Sequence, residues 1–213
     1  MVARPLAWGD WRVDMTEYRR ELPPLPNPHQ RTVATRPLFS ASECDALLDL
    51  AQQGTGWSDA SVSRPGATDG IVDRDVRSAG LFPLPTDGGW PFHRLVEAIA
   101  DHNSATFRFD LEGIYESDRP AIARYTAAEF GQFRAHIDAG ASHSTRKLSY
   151  VVQLDKGSSY TGGDLFFSDL GTAAPRDQGT LVVFPSTLTH VVTPVIEGIR
   201  HVVVGWVHGP ATT

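Results

Sequence analysis

The chain has 213 residues, of which 41% are hydrophobic and 21% charged, a composition typical of a globular protein with one full core. Its formal net charge of −6 is opposite in sign to a nucleic-acid-binding surface, so no nucleic-acid partner is expected, although a local basic patch is still possible. Cys44 is the single cysteine, which excludes an internal disulfide and favours a reducing, cytoplasmic location. No segment has the length of a signal-peptide core or a membrane span, so no membrane partner is expected.

The first 30 residues are rich in proline and charge, and the run Glu21 to Pro28 contains four prolines. Proline lacks the backbone donor that a regular helix or a central strand needs. We therefore predict an N-terminal arm over residues 1–30, either wrapped on the surface or partly disordered. A single domain is predicted over residues 31–213.

Two amphipathic helices are predicted in the first half of the domain. Ser40 and Glu43 have the capping-box spacing, and Gly54 is a stop signal. Cys44 lies on the apolar stripe of this helix and is expected to be a core residue, not a nucleophile. The second helix begins at Trp90-Pro91, with proline in its first turn. The expected buried residues of the two helices are Cys44, Leu47, Leu48, Ala51, Phe92, Leu95, Val96 and Ile99.

The rest of the domain reads as short strands between glycine- and proline-containing turns. Two strands, 57–64 and 71–82, flank a turn at 65–70, and residues 106–111 alternate between apolar and polar. Further strands are predicted at 119–125, 146–154, 164–168, 180–184 and 200–207. Many short strands favour a β-sandwich or barrel with flanking helices.

The most informative residues are His136 and Asp138, followed at a distance by His190. Residues two apart in a strand share a face, so the imidazole and the carboxylate can bind one ion. Two histidines and a carboxylate can occupy one face of an octahedral Fe(II) and leave three open positions. On its own, a His-x-Asp tripeptide also fits a surface turn or a satisfied polar pair. His29, His93, His102 and His208 are expected at the surface.

Arg200 lies ten residues after His190, and with it the sequence resembles the Fe(II)/2-oxoglutarate-dependent oxygenases of the prolyl/lysyl hydroxylase (prolyl 4-hydroxylase-like) type. The resemblance covers about residues 119–209, and its motifs include Leu148-Ser149, Tyr160 to Leu165, Phe184-Pro185-Ser186, His190 to Val195 and Gly198-x-Arg200 through Trp206. It implies a mainly β fold with flanking helices: a double-stranded β-helix (jelly roll, cupin-like) with two helices packed outside one sheet.

The resemblance also implies the site. His136, Asp138 and His190 correspond to the three Fe(II) ligands, and Arg200 to the cation that binds the far carboxylate of 2-oxoglutarate. Tyr125 corresponds to a tyrosine that hydrogen-bonds the same carboxylate, although it lies two residues farther from the His-x-Asp pair than in typical members. Trp206 corresponds to a tryptophan near the iron. O2 is the co-reactant, and ascorbate is expected to stimulate turnover.

The implied reaction is hydroxylation of an unactivated C–H, with formation of succinate and CO2. Asp138 argues against halogenation, because halogenating relatives carry a small residue there, and leaves desaturation as the less common outcome. The substrate is expected to be an amino acid, an amino-acid-derived small molecule or a peptidyl side chain. Arg77 could bind a substrate carboxylate or pair with Asp73 or Asp75, and His143 could line the substrate mouth. The alternative is a metal-binding β-barrel without oxygenase activity, such as a cupin-like isomerase or a sensor.

Overall fold

The computed structural model describes residues 12–14, 31–63, 70–84, 90–140 and 142–211. Two α-helices are present in these ranges, α1 (Ala41–Gln53) and α2 (Trp90–His102). The first eight strands are β1 (Arg12–Asp14), β2 (Ala34–Pro37), β3 (Ser58–Asp59), β4 (Arg77–Ser78), β5 (Gly80–Pro83), β6 (Gly113–Tyr115), β7 (Ala121–Thr126) and β8 (Gln132–His136). The other eight are β9 (Arg146–Gln153), β10 (Thr161–Gly162), β11 (Leu165–Phe167), β12 (Thr172–Ala173), β13 (Thr180–Pro185), β14 (His190–Val192), β15 (Val195–Glu197) and β16 (Ile199–His208).

The strands form two main antiparallel sheets. The nine-stranded sheet has the order β2-β13-β9-β16-β7-β5-β3, with β6 on β16 and β1 on β6. The five-stranded sheet has the order β12-β11-β14-β8-β4, and β10 and β15 form a separate pair. Side chains from both main sheets, among them Val151, Val202, Leu165 and Val192, share one buried cluster. The predicted mainly β fold with flanking helices is confirmed.

Both helices pack against the other face of the nine-stranded sheet. Helix α1 begins at the predicted capping box, in which the Ser40 side chain accepts from Glu43 N–H and the Glu43 side chain accepts from Ser40 N–H. The helices share a second buried cluster with Leu148 and Val152 of β9. Because side chains alternate along a strand, Ser149 and Val151 of β9 point to the opposite face, between the sheets. The alternation of this one strand therefore separates the helix-facing core from the interior of the barrel.

The prediction of a strand at 106–111 is wrong. Helix α2 continues instead as a π-helical turn, Asn103–Phe107, which ends at Arg108 in the left-handed conformation with φ 57°. The Asn103 side chain accepts from Phe109 N–H and donates to Phe109 C=O, both over 2.9 Å. These local hydrogen bonds use the backbone groups that a strand would have offered to a neighbour.

The other predicted elements differ mainly in their lengths. The strand predicted at 57–64 is reduced to β3, and the one predicted at 71–82 is divided between β4 and β5, with a bridge joining Val62 to Ile71. Most of the turn at 65–70 lies outside the described residues. So does most of the arm over residues 1–30, of which the structure describes only β1, paired with β6. No α-helix in the described ranges is long and apolar enough to cross a membrane.

Candidate metal site and its pocket

His136 and Asp138 lie at the end of β8. His136 is the last residue of that strand, and Asp138 is in the turn that follows it. The backbone N–H groups of Asp138 and Ala139 both donate to the carbonyl of Ser186 over 2.9 Å. This pair of hydrogen bonds fixes the turn against the end of β13 and so fixes the position of the carboxylate.

His190 reaches the same place from β14, which pairs with β8 in a register that puts His190 opposite His136. The two imidazole centroids are 4.2 Å apart. Nε2 of His136 lies 3.5 Å from Oδ1 of Asp138, and Nε2 of His190 lies 3.5 Å from Oδ2. The three candidate ligand atoms are all within 4.8 Å of one another, a separation that one metal ion can bridge.

The hydrogen bonds of the two imidazoles leave the correct nitrogens free for a metal. Nδ1 of His136 lies 2.7 Å from the carbonyl oxygen of Arg134, and Nδ1 of His190 lies 2.9 Å from that of Leu188. A carbonyl can only accept, so each Nδ1 carries the proton and each Nε2 keeps its lone pair. Burial lowers the pKa of His190, which favours the neutral form that metals bind.

Two serines support the carboxylate. Burial alone would raise the pKa of Asp138, but its two imidazole neighbours, His190 and His136, and a hydrogen bond from Ser149 outweigh it and hold the pKa far below its ordinary value. Ser149 Oγ donates to Asp138 Oδ2 over 2.7 Å and lies 2.9 Å from Ser186 Oγ. In the sequence, Ser149 and Ser186 belong to motifs of the resemblance, and neither was predicted to contact a metal ligand. The sequence signal for Ser149 was its polar side chain within the otherwise apolar centre of β9.

His136, Asp138 and His190 lie at one side of a pocket between the sheets. The pocket opens to solvent, and its empty space of about 440 Å³ includes part of that opening. Three of the residues expected near the cosubstrate, Tyr125, Arg200 and Trp206, also line it. The apolar part of the wall includes Val151, Leu165, Phe184, Val192, Val202 and Val204. A pocket with apolar walls and a few convergent polar groups is typical of a small-molecule site.

Arg200 is a buried cation in this pocket. It is 1% exposed, and Nη2 donates to Oε1 of Gln153 over 3.2 Å. Among the described residues, Nε and Nη1 have no hydrogen-bond partner. The guanidinium lies 5.6 Å from the ring centroid of Tyr125, the residue opposite it on β7. A buried charge with unpaired donors is costly, so the environment of Arg200 fits an anionic ligand.

Trp206 lies under a second arginine at the edge of the pocket. The guanidinium carbon of Arg146 is 3.7 Å from the Trp206 ring centroid. Nε and Nη2 of Arg146 donate to the two carboxylate oxygens of Asp118 over 2.6 and 2.7 Å. This cation is therefore already paired, unlike Arg200.

His208, expected at the surface, is buried, and that expectation is wrong. Its ring stacks on Tyr115 with centroids 4.0 Å apart. Nδ1 lies 2.9 Å from Thr145 Oγ1, and Nε2 lies 3.3 Å from an oxygen of Asp118. The position is the last residue of β16, where strand alternation turns its side chain inward beside a carboxylate.

The two candidate substrate residues lie in different places. Arg77 is buried and lines the pocket. His143 is half-buried, and its Nε2 lies 3.0 Å from Ser63 Oγ. It is not among the described residues that line the pocket.

Comparison with known proteins finds similar chains among the hydroxylases. No family model matches it. A PKHD-type hydroxylase from Synechococcus sp. (strain CC9311) is 36% identical over 80 residues, which make up 36% of each chain. Another, from Cupriavidus pinatubonensis (strain JMP 134 / LMG 1197), is 29% identical over 180 residues, covering 80% of this chain and 75% of the relative. Over these stretches the chain is similar to PKHD-type hydroxylases. Its match to the Synechococcus protein spans only about a third of that protein's length.

Solved structures share the fold. A Pseudomonas putida prolyl-4-hydroxylase matches with a TM-score of 0.63 and 20% identity, over 84% of this chain and 93% of that one. A Trichoplax adhaerens prolyl hydroxylase, in complex with a peptide fragment of the hypoxia-inducible-factor oxygen degradation domain, matches with a TM-score of 0.65 and 16% identity over 83% of each chain. This shared fold confirms the predicted double-stranded β-helix, and the similarity to PKHD-type hydroxylases agrees with the resemblance drawn from the sequence.

Proposed function

We propose that this PKHD-type relative is an Fe(II)- and 2-oxoglutarate-dependent dioxygenase that hydroxylates an unactivated C–H. The observation that carries the proposal is Arg200, a buried guanidinium with two unpaired nitrogens in the same pocket as the His136, Asp138 and His190 triad. A triad alone is a metal site. A triad with a free buried cation is a metal site beside an anion site, which is what a metal-chelating dicarboxylate needs.

The side chains have separate roles. The Nε2 atoms of His136 and His190 and the carboxylate of Asp138 hold Fe(II), because two neutral imidazoles and a carboxylate at this spacing suit that ion and no thiolate is nearby. Arg200 binds the far carboxylate of 2-oxoglutarate, and Tyr125 lies beside it to share that contact. Trp206, fixed by Arg146, forms the wall next to the metal.

When bound, Fe(II) supplies O2 activation coupled to decarboxylation of 2-oxoglutarate to succinate and CO2. The protein positions the substrate C–H in the remaining space and restricts water through the apolar walls. Asp138 occupies the position that a halide would need, so hydroxylation is the expected outcome. Ascorbate is expected to stimulate turnover by keeping the iron reduced.

The substrate belongs to the class of amino acids, amino-acid-derived small molecules or peptidyl side chains. The Trichoplax relative binds a peptide fragment, which supports a peptidyl side chain as one member of that class. The pocket between the sheets, with apolar walls and a few convergent polar groups, supports a small molecule as another. The alternative, an isomerase or sensor barrel, does not explain why Arg200 keeps unpaired donors inside the pocket.

The test is succinate formation from 2-oxoglutarate. Purified protein with Fe(II), O2 and ascorbate is expected to form succinate, and omission of Fe(II) is expected to stop it. A panel of amino acids and peptides, followed by mass spectrometry for the gain of one oxygen, then identifies the product. Metal binding without any 2-oxoglutarate binding or consumption would instead support the alternative barrel.

A further inference from the structure

A second buried arginine faces the pocket from the five-stranded sheet. Arg77 on β4 pairs with Phe133 on β8, the strand that ends in His136. It is 8% exposed and lines the pocket together with the metal triad. Arg200 reaches the same pocket from β16 of the nine-stranded sheet. The pocket therefore contains two buried cations that come from different walls.

The Arg77 guanidinium is held in place but incompletely paired. Its carbon lies 4.6 Å from the Phe133 ring centroid, and that ring stacks on His136 with centroids 3.5 Å apart. Nη1 reaches the carbonyl of Ser61 only at 3.5 Å, and Nε has no partner among the described residues. The contact with Phe133 holds the guanidinium beside a candidate metal ligand and leaves Nε without a partner among the described residues.

A count of charges shows that this cation is in excess. With neutral imidazoles, the divalent metal, the Asp138 carboxylate, doubly charged 2-oxoglutarate and Arg200 together make the pocket neutral. Arg77 then remains as one uncompensated positive charge in a pocket with apolar walls. Such a charge is strongly stabilised by a monoanion that reaches it through paired N–H donors.

We propose that Arg77 binds a carboxylate of the substrate, so that the substrate of this chain is an acid and not an uncharged internal side chain. The inference rests on the proposed function and narrows its substrate class. Two sources supply the same chemistry: the α-carboxylate of a free amino acid, or an aspartyl or glutamyl side chain within a peptide.

The site is tested first with acetate, the simplest carboxylate. The protein is loaded with Mn(II), which occupies the triad without turnover, and saturated with 2-oxoglutarate. Paramagnetic broadening of the acetate methyl signal by Mn(II) then reports acetate bound near the metal. We expect saturable broadening with acetate, none with acetamide, and binding at least about tenfold weaker in Arg77→Gln. Arg77→Lys is expected to retain part of the binding, because it keeps the charge without the planar fork.

The matched control is Arg74→Gln. Arg74 belongs to the same segment, but its guanidinium pairs at the surface with Asp59 and Glu129. This variant is expected to bind acetate as the wild type does. Circular dichroism and Mn(II) affinity check that Arg77→Gln is folded. Equal acetate broadening in wild type and Arg77→Gln, or no broadening in wild type, would overturn the proposal.

Binding of 2-oxoglutarate, measured in parallel, separates this proposal from the proposed function. If Arg77→Gln weakens 2-oxoglutarate and leaves acetate unaffected, Arg77 binds the cosubstrate and the inference is wrong. If wild type fails to bind 2-oxoglutarate at all, the proposed function is wrong, while acetate binding to the Mn(II) protein still reports on Arg77.

The source of the carboxylate is found by competition against bound acetate. The competitors are free L-amino acids, their N-acetyl amides, and N-acetyl amides of aspartate and glutamate. Displacement by free amino acids alone supports an α-carboxylate, and displacement by the two acidic amides supports a peptide side chain. Equal displacement by neutral amides, or displacement by none of the compounds, would contradict a substrate carboxylate at Arg77.

Discussion

Ser149 Oγ donates a hydrogen bond to Oδ2 of Asp138 over 2.7 Å from the middle of the nine-stranded sheet. The carboxylate of this candidate metal ligand is thus oriented by a residue on the opposite sheet. Oδ2 is also the oxygen nearest to Nε2 of His190, whereas Oδ1 is nearest to Nε2 of His136. The hydrogen bond therefore helps to fix which oxygen faces which imidazole.

Replacing Ser149 with alanine is expected to weaken metal binding by about 10- to 100-fold, the usual effect of losing a partner of a ligand. The measurement is Fe(II) or Co(II) affinity by competition with a chelator. Ser168→Ala, at an exposed position, is the matched control and should bind metal normally. Equal affinities in the two variants would show that Ser149 does not orient the carboxylate.

The alanine variants of His136, Asp138 and His190 are each expected to abolish turnover and to leave the fold intact. The three candidate ligand atoms converge on one point, and Fe(II) in such a site needs all of them. Iron titration and circular dichroism are measured on each variant. Full activity in one of them would remove that residue from the metal site.

Arg200→Ala is expected to raise the KM for 2-oxoglutarate by about a hundredfold to several thousandfold, because loss of one partner of a buried ion pair costs about 3–5 kcal/mol. Arg200→Lys should recover part of this loss. Iron content should stay unchanged in both variants.

Arg124→Ala is a suitable control for that series, since Arg124 lies 4.3 Å over the Trp57 ring and is not among the described residues lining the pocket. An unchanged KM in Arg200→Ala would mean that another cation binds the anion, and the candidate lining the same pocket is Arg77.

Cys44 provides a prediction about pH. Burial raises the pKa of its thiol to about 11, so between the unfolded pKa near 9 and this value the unfolded chain holds fewer protons than the folded one. Its contribution to the free energy of unfolding is therefore fully present below about pH 9 and is lost as the pH rises toward 11. Denaturant titrations at several pH values give the free energy of unfolding of wild type and Cys44→Ala. Between about pH 9 and 11 this free energy should fall more steeply with pH in the wild type. Parallel pH profiles would contradict the raised pKa.

A chain that begins at Arg31 is expected to retain iron binding, because the proline-rich arm is predicted to lie outside the catalytic domain. The only described part of the arm is β1, and it pairs with β6, away from the strands that carry the triad. Iron titration and circular dichroism on the shortened chain test the boundary. An unfolded product would mean that the arm is a structural part of the domain.

The triad and the helices could be predicted because their signals are short and local. A capping box, an apolar stripe and a His-x-Asp pair each lie within a few residues, and Arg200 follows His190 by only ten residues. Residues 103–111 could not be predicted in the same way. Their alternation is real, but the Asn103 side chain binds the backbone of Phe109 and prevents its pairing with a strand.

The roles of Ser149, Gln153 and Asp118 could not be predicted from the sequence either. Each depends on which distant residue its side chain meets: Asp138, Arg200 and Arg146, respectively. Such contacts follow from sheet register, which the sequence pattern does not define for strands this short. Arg77 was left between two interpretations for the same reason. Its position in the pocket wall follows from the pairing of β4 with β8.

The pairing of His136 with His190 joins residues more than fifty positions apart, and Arg200 follows later still. During synthesis the first two ligands therefore leave the ribosome well before the third, and a His-x-Asp pair alone binds a divalent ion weakly. Stable metal loading must wait until β14 has been made and has docked against β8. Under the proposed function, this order means that a nearly complete domain acquires the iron, which limits redox chemistry on a half-folded chain.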